Sequence, residues 1–165
     1  MNWEAIGAMG ETVGAMLVLI TLIYLATQVR YAKNTAADAN RLARARGVCD
    51  MQLALVGNDQ LLQSSIAANG QGDWYQELAA ALGITVEDAM RADHINTYWF
   101  WLHWGQFSST NSKNDLQELG DTIGRFYQSP ELKYAWENGP FSKPLLNDEF
   151  VAFVQKYMEK FSQSI

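Results

Sequence analysis

From Ala5 to Thr27 the chain carries a single charge, Glu11, in a run that is otherwise apolar or small. As a helix rising about 1.5 Å per residue, this run covers roughly 34 Å, enough to cross a hydrocarbon layer of about 30 Å. It predicts a transmembrane helix. Trp3 stands at one end of the run and Tyr24 and Tyr31 at the other, where amphipathic rings favour the headgroup level. A cleaved signal peptide fits less well, because there is no basic segment ahead of the run and no small-x-small site after it. The core helix of a soluble protein needs fewer apolar residues than this. Arg30, Lys33, Arg41, Arg44 and Arg46 follow the run and no base precedes it. The positive-inside rule then places the amino terminus outside and the carboxy-terminal body in the cytoplasm, across the cell's inner membrane.

Gly7, Gly10 and Gly14 recur at spacings of three and four and share one helical stripe, with Glu11 on its border. Gly10 and Gly14 make a small-xxx-small pair that lets a second helix approach closely, and close packing is a main source of helix association in lipid. An ionised acid at the centre of a bilayer costs on the order of 2.5–3.5 kcal/mol on insertion scales, so such groups face protein or water, or are protonated. Glu11 lies near one end of the run, roughly 9 Å inside it, and three roles remain open. It reaches outward to the interface, hydrogen-bonds a neighbouring helix, or handles a proton or cation in an oligomeric bundle.

The net charge of −6 is unevenly spread. Residues 28–46 hold the five bases against Asp38, which leaves an acidic balance of −8 on residues 47–165. An acidic body argues against nucleic acid as a partner, and the basic collar suits the anionic headgroups of an inner leaflet. The single cysteine, Cys49, excludes an internal disulfide, gives no metal-ligand spacing and suits a small core position.

Beyond the membrane the pattern stays helical. Val29, Ala32, Ala36, Ala39 and Ala43 alternate by threes and fours, which predicts that the anchor (residues 1–30) continues as a stalk (31–57) with an alanine seam for helix packing. A helical body follows over 58–165. Turn-like breaks at Gly57-Asn58-Asp59 and around Asn69 to Asp73 bracket a short helix with Leu61, Leu62 and Ile66, and a second short helix follows from about Trp74 to Leu82. Thr85 through Asp88 offers a capping-box-like start for a helix to about Ser108. After the polar loop SSTNSKND, a helix is expected over Leu116 to Tyr127, another from Ser129-Pro130-Glu131 to Gly139-Pro140, and a last one from Asp148. In the last, Phe150, Phe153, Val154, Tyr157 and Phe161 fall on one side. The fold class is all-α, with no strand alternation and no internal repeat.

In TYWFWLHWGQF, residues 97–107, the side chains of Tyr98, Trp99, Phe100, Trp101, Trp104 and Phe107 surround the helix on all sides. This pattern predicts a central core helix. Docking on the membrane interface and a pocket for a hydrophobic ligand among Trp99, Trp101 and Trp104 are the sharper alternatives. His94 and His103 stand on opposite sides of that helix and cannot hold one metal together, and the adjacent Asp93 diverges from His94. No nucleophile elbow, phosphate-binding glycine loop or zinc helix motif is present. The expectation is therefore a non-enzymatic chain with no catalytic residues, cofactor or metal.

WEAIGAMGETVGAMLVLITLIYLATQVR resembles the opening of a set of small, uncharacterised bacterial proteins with one amino-terminal transmembrane helix. Their pattern, W-E-A-x-G-A-x-x-E-x-x-G-A followed by Y-L-A-x-Q-[IV]-R, matches Trp3, Glu4, Gly7, Glu11, Gly14, Tyr24, Leu25, Gln28 and Arg30. The likeness extends to an S-P step at Ser129-Pro130, the following Trp136 and D-E-F at Asp148 to Phe150. It implies an anchor plus a helical body, and it supplies no activity. This chain departs from the pattern in its tryptophan-rich segment over 98–104. An accessory subunit of a membrane complex or a homo-oligomer, held by lateral contact with other transmembrane helices, is the expected function; ion translocation through Glu11 and hydrophobic-ligand binding are the alternatives.

Overall fold

The computed structural model describes residues 2–162, the side chains of Ala5 and Asn69 apart. Among the described residues the chain is helical and has no strand. The elements are α1 (Trp3–Val56), α2 (Asp59–Asn69), α3 (Gly72–Leu82), α4 (Val86–Ser109), α5 (Lys113–Phe126), α6 (Pro130–Asn138) and α7 (Asp148–Ser162), with a short 3-10 turn at Lys143–Leu145 before α7.

Local chemistry sets the helix ends. Asn58 accepts the amide of Leu61 at 3.0 Å to open α2, and Gly70 closes it at φ 67°, a backbone state that costs glycine little. Thr85 accepts the Asp88 amide at 3.1 Å, as the capping pattern predicts. Instead of reaching back to a backbone amide, however, the Asp88 carboxylate accepts the Thr85 hydroxyl at 2.7 Å. Ser129 caps α6 through the Leu132 amide, with Pro130 in the first turn, where its missing amide is not needed. Helix α5 begins at Lys113, earlier than expected, because Ser112 caps it through the Asp115 amide.

The chain divides into two compact units, Met1–Asn40 and Arg41–Ile165. In the first, α1 is long and apolar enough to cross a membrane; its most apolar stretch has a mean hydropathy of 1.9 and none of it is buried within the chain. The hydroxyls of Thr12, Thr21 and Thr27 donate back to carbonyls one turn earlier, at 2.8, 2.8 and 2.6 Å. The threonines are thus satisfied without water, as an apolar solvent demands.

The second unit starts inside α1, at Arg41. The final turns of α1 bury Ala45, Cys49, Gln52 and Leu55, which share one face at helical spacing and join the body. Ala32, Ala36, Ala39 and Ala43 are all exposed. Contact with α4 is close: a Cβ placed on Gly105 would lie 2.7 Å from that of Ala45.

Two apolar clusters meet along α4. Its first half joins Leu55, Leu62, Trp74, Tyr75, Leu78 and Ala79 through Ala89 and Met90. Its second half inserts Phe100 and Trp104 among Ile123, Tyr127, Trp136, Phe150 and Val154. Phe100 meets Tyr127 and Trp136 edge-on at 5.5 and 5.2 Å, separations favoured by ring quadrupoles. Helices α5 and α7 approach closely because Gly120 and Gly124 leave room for Tyr157 and Phe161.

Candidate functional site

Between the two clusters, α4 carries Asp93, His94, Asn96 and Thr97, all buried. A polar band at core positions is costly unless it is partnered. The Asp93 carboxyl, 2% exposed, faces the Trp74 indole and the Tyr75 hydroxyl. Burial raises its pKa to about 7, and these two donors only partly oppose the rise. The indole does not close a hydrogen bond, since Trp74 Nε1 and Asp93 Oδ2 are both without a partner. Burial, then the neighbouring Asp93, pushes the Tyr75 hydroxyl up as well.

His94 Nδ1 lies 2.5 Å from Gln52 Oε1, a contact that joins α4 to the end of α1. With the amide oxygen as acceptor, Nδ1 carries the ring proton, which leaves Nε2 as a bare acceptor without a partner. Burial lowers the His94 pKa and keeps the ring neutral. His103, one aromatic layer further along, shares a 3.2 Å hydrogen bond with the Tyr127 hydroxyl and is pushed down to about 4 by burial. The two histidines are therefore buried and neutral, and the structure does not bring them together. Among the described residues no group of three His, Cys, Asp or Glu could hold a metal ion.

Beside His94 a partly enclosed cleft of about 600 Å³ opens between the end of α1, α2, α4 and the Phe141–Leu145 segment. Met51, Leu55, Leu61, Trp101, Phe141 and Leu145 supply its apolar walls, and no charged residue lines it. Its polar lining is Gln52, Ser64, Ser65, His94 and Thr97. The Ser64 hydroxyl is already bonded to the Gln60 carbonyl at 2.8 Å, whereas Thr97 Oγ1 and His94 Nε2 have no partner. This concave, mostly apolar site with a few polar groups has the form and size of a small-molecule pocket.

Of the predicted aromatic residues, only Trp101 lines the cleft. Trp99 stacks on His103 at 5.8 Å and meets Phe126 edge-on at 4.9 Å. Trp104 is buried and donates its indole N–H to Asn147 at 3.0 Å. Those two are built into the body, and none of the six aromatics of the segment is exposed. Gly7, Gly10 and Gly14 have nothing of this chain near the position of a Cβ, and Glu11 is exposed. All five residues of the basic collar are exposed; Arg41 also donates to the Ser108 carbonyl at 3.3 Å and Arg44 lies over the Trp104 ring at 5.7 Å. These two serve the junction of α1 with α4. Cys49 is buried and donates weakly to the Tyr98 carbonyl at 3.5 Å.

Gln52, Tyr75 and Thr97 were not singled out by the sequence, and Asp93 drew notice only as the neighbour of His94. The available signal was polar side chains at positions 93, 94, 96 and 97 of a helix otherwise rich in core residues. Comparison with known protein families, with curated proteins and with solved structures finds no match.

Proposed function

We propose that the chain is a single-pass inner-membrane protein with a cytoplasmic helical body, and that it acts without chemistry of its own as an accessory subunit of a membrane complex or as a homo-oligomer. The observation that carries this reading is the amino half of α1: strongly apolar, uncovered by its own chain and with its threonines satisfied internally. Gly7, Gly10 and Gly14 form the contact stripe with another transmembrane helix, and Glu11 borders it. Arg30, Lys33 and Arg46 are exposed and suit anionic headgroups.

The test is crosslinking and co-purification of the full chain from its own membrane. Gly10→Leu with Gly14→Leu should abolish the captured partner while the protein stays in the membrane fraction. Unchanged assembly rejects the helix contact. Recovery of the wild-type chain as a monodisperse species in the soluble fraction, without detergent, rejects the anchor.

A further inference from the structure

The cleft beside His94 has its own chemistry, independent of what the transmembrane stripe contacts. Its walls are apolar and its rim exposes Met51, Leu61 and Leu145 at 54%, 45% and 53%. The lining holds no charge to balance an ionised head group, which would remain unpaired in an apolar setting. Two lining side chains, His94 and Thr97, are 6% and 3% exposed, and each carries an unpartnered polar atom that water does not touch as the side chain is placed, so a ligand hydroxyl meets it on a small rotation toward the cleft. They stand three residues apart on α4 and so share a face. With the Gln52 oxygen facing Nδ1, Nε2 is an acceptor, and with that amide turned it is a donor; the Thr97 hydroxyl can both give and accept. A group with one hydrogen to donate and lone pairs to accept matches this pair, and a hydroxyl is the smallest uncharged group that does so.

We propose that the cleft binds an uncharged single-chain amphiphile, its hydroxyl head seated against His94 and Thr97 and its alkyl chain lying along Leu55, Leu61, Trp101 and Leu145. At close to the ~30 Å³ that a water molecule occupies in the liquid for each methylene, the cleft of about 600 Å³ holds a chain of up to roughly twenty carbons. The same head and tail occur in free long-chain alcohols and in monoacylglycerols. The desolvation of the two polar atoms is already incurred in the folded chain, so a ligand that supplies partners recovers it.

The full chain in lipid nanodiscs is irradiated with dodecan-1-ol bearing a mid-chain diazirine, and the adducts are mapped by peptide. Adducts are expected within residues 48–65, 94–101 and 141–145, apart from the background labelling of the lipid-exposed residues 5–27. Excess dodecan-1-ol or glycerol monolaurate should remove the cleft adducts, and whichever competes at the lower concentration identifies the source. Thr97→Val should weaken labelling about fivefold, the loss of one hydrogen bond, and Thr97→Ser should restore it. Leu61→Trp, a change at an exposed rim position, should block labelling while the melting curve stays that of the wild type. Cleft labelling by the diazirine alkane equal to that by the alcohol, equal competition by dodecyl sulfate, or adducts confined to residues 5–27 would overturn the proposal.

Discussion

Asp93→Asn separates the buried carboxyl from the rest of the polar band through pH. The folded pKa of Asp93 is raised from 3.8 to about 7, so folding favours the protonated acid. Its contribution is fully present below the unfolded value and is lost as pH rises through the folded one. Between about pH 5 and pH 7 that loss amounts to about 2 kcal/mol. His103 acts in the opposite direction. Its folded pKa is pushed from 6.5 to about 4, so its contribution is present above the unfolded value and disappears as pH falls toward 4. Over the same interval this is again about 2 kcal/mol, and His94 adds to it with the same sign. In the wild-type body the Asp93 slope should therefore cancel the His103 slope from about pH 5 to pH 7 and leave the smaller rise that His94 supplies. Asparagine is neutral throughout and removes only the aspartate slope. Whatever constant offset the amide introduces by its packing, the stability of the variant relative to the wild type should rise by about 2 kcal/mol across the interval. Thermal unfolding of the detergent-extracted full chain, followed by circular dichroism at several pH values, measures it. A difference between the two proteins that stays constant with pH would refute the assignment of a raised Asp93 pKa.

Two further outcomes follow from packing. A Cβ on Gly124 would lie 2.6 Å from the Tyr157 carbonyl oxygen and 3.0 Å from its carbon, both backbone, whereas one on Gly120 meets only the Tyr157 ring. Gly124→Ala should cost about 2–3 kcal/mol, and Gly120→Ala less, because the ring can shift and alanine regains about 1 kcal/mol of helix propensity. Equal melting temperatures for the two variants would contradict this. Cys49 is buried and its pKa is raised by burial and then by Asp50, so N-ethylmaleimide at neutral pH should leave it unmodified until denaturant is added. Prompt modification of the native protein, read by mass spectrometry, would show that α1 does not pack on the body as described.

The helix boundaries were legible where a side chain closes the backbone locally: Asn58, Thr85 and Ser129-Pro130 at starts, Gly83 at an end. The early start of α5 was hidden because Lys113, Asn114 and Asp115 look like loop but serve as a first turn under the Ser112 cap. The alanine pattern over 32–43 has the right period and lies on an exposed face. The buried set begins with Ala45, two residues and about 200° further round the helix, and periodicity alone cannot rank two such stripes. Capacity to cross a membrane was legible because it depends only on length and polarity. The cleft was not, since its walls come from four stretches far apart in sequence and no local pattern records that they meet.

Helix α4 sorts its side chains along its length: an apolar end at Ala89 and Met90, hydrophilic groups from Asp93 to Thr97, then the aromatic layers. Sliding it by one turn, about 5.4 Å, would carry the Asn96 amide to the level where Phe100 meets Trp136, or in the other direction bring the Tyr98 ring opposite Gln52. The hydrophilic stretch thus acts as a detent, holding the longest helix of the body at a single axial setting that smooth hydrocarbon surfaces alone would leave loosely defined.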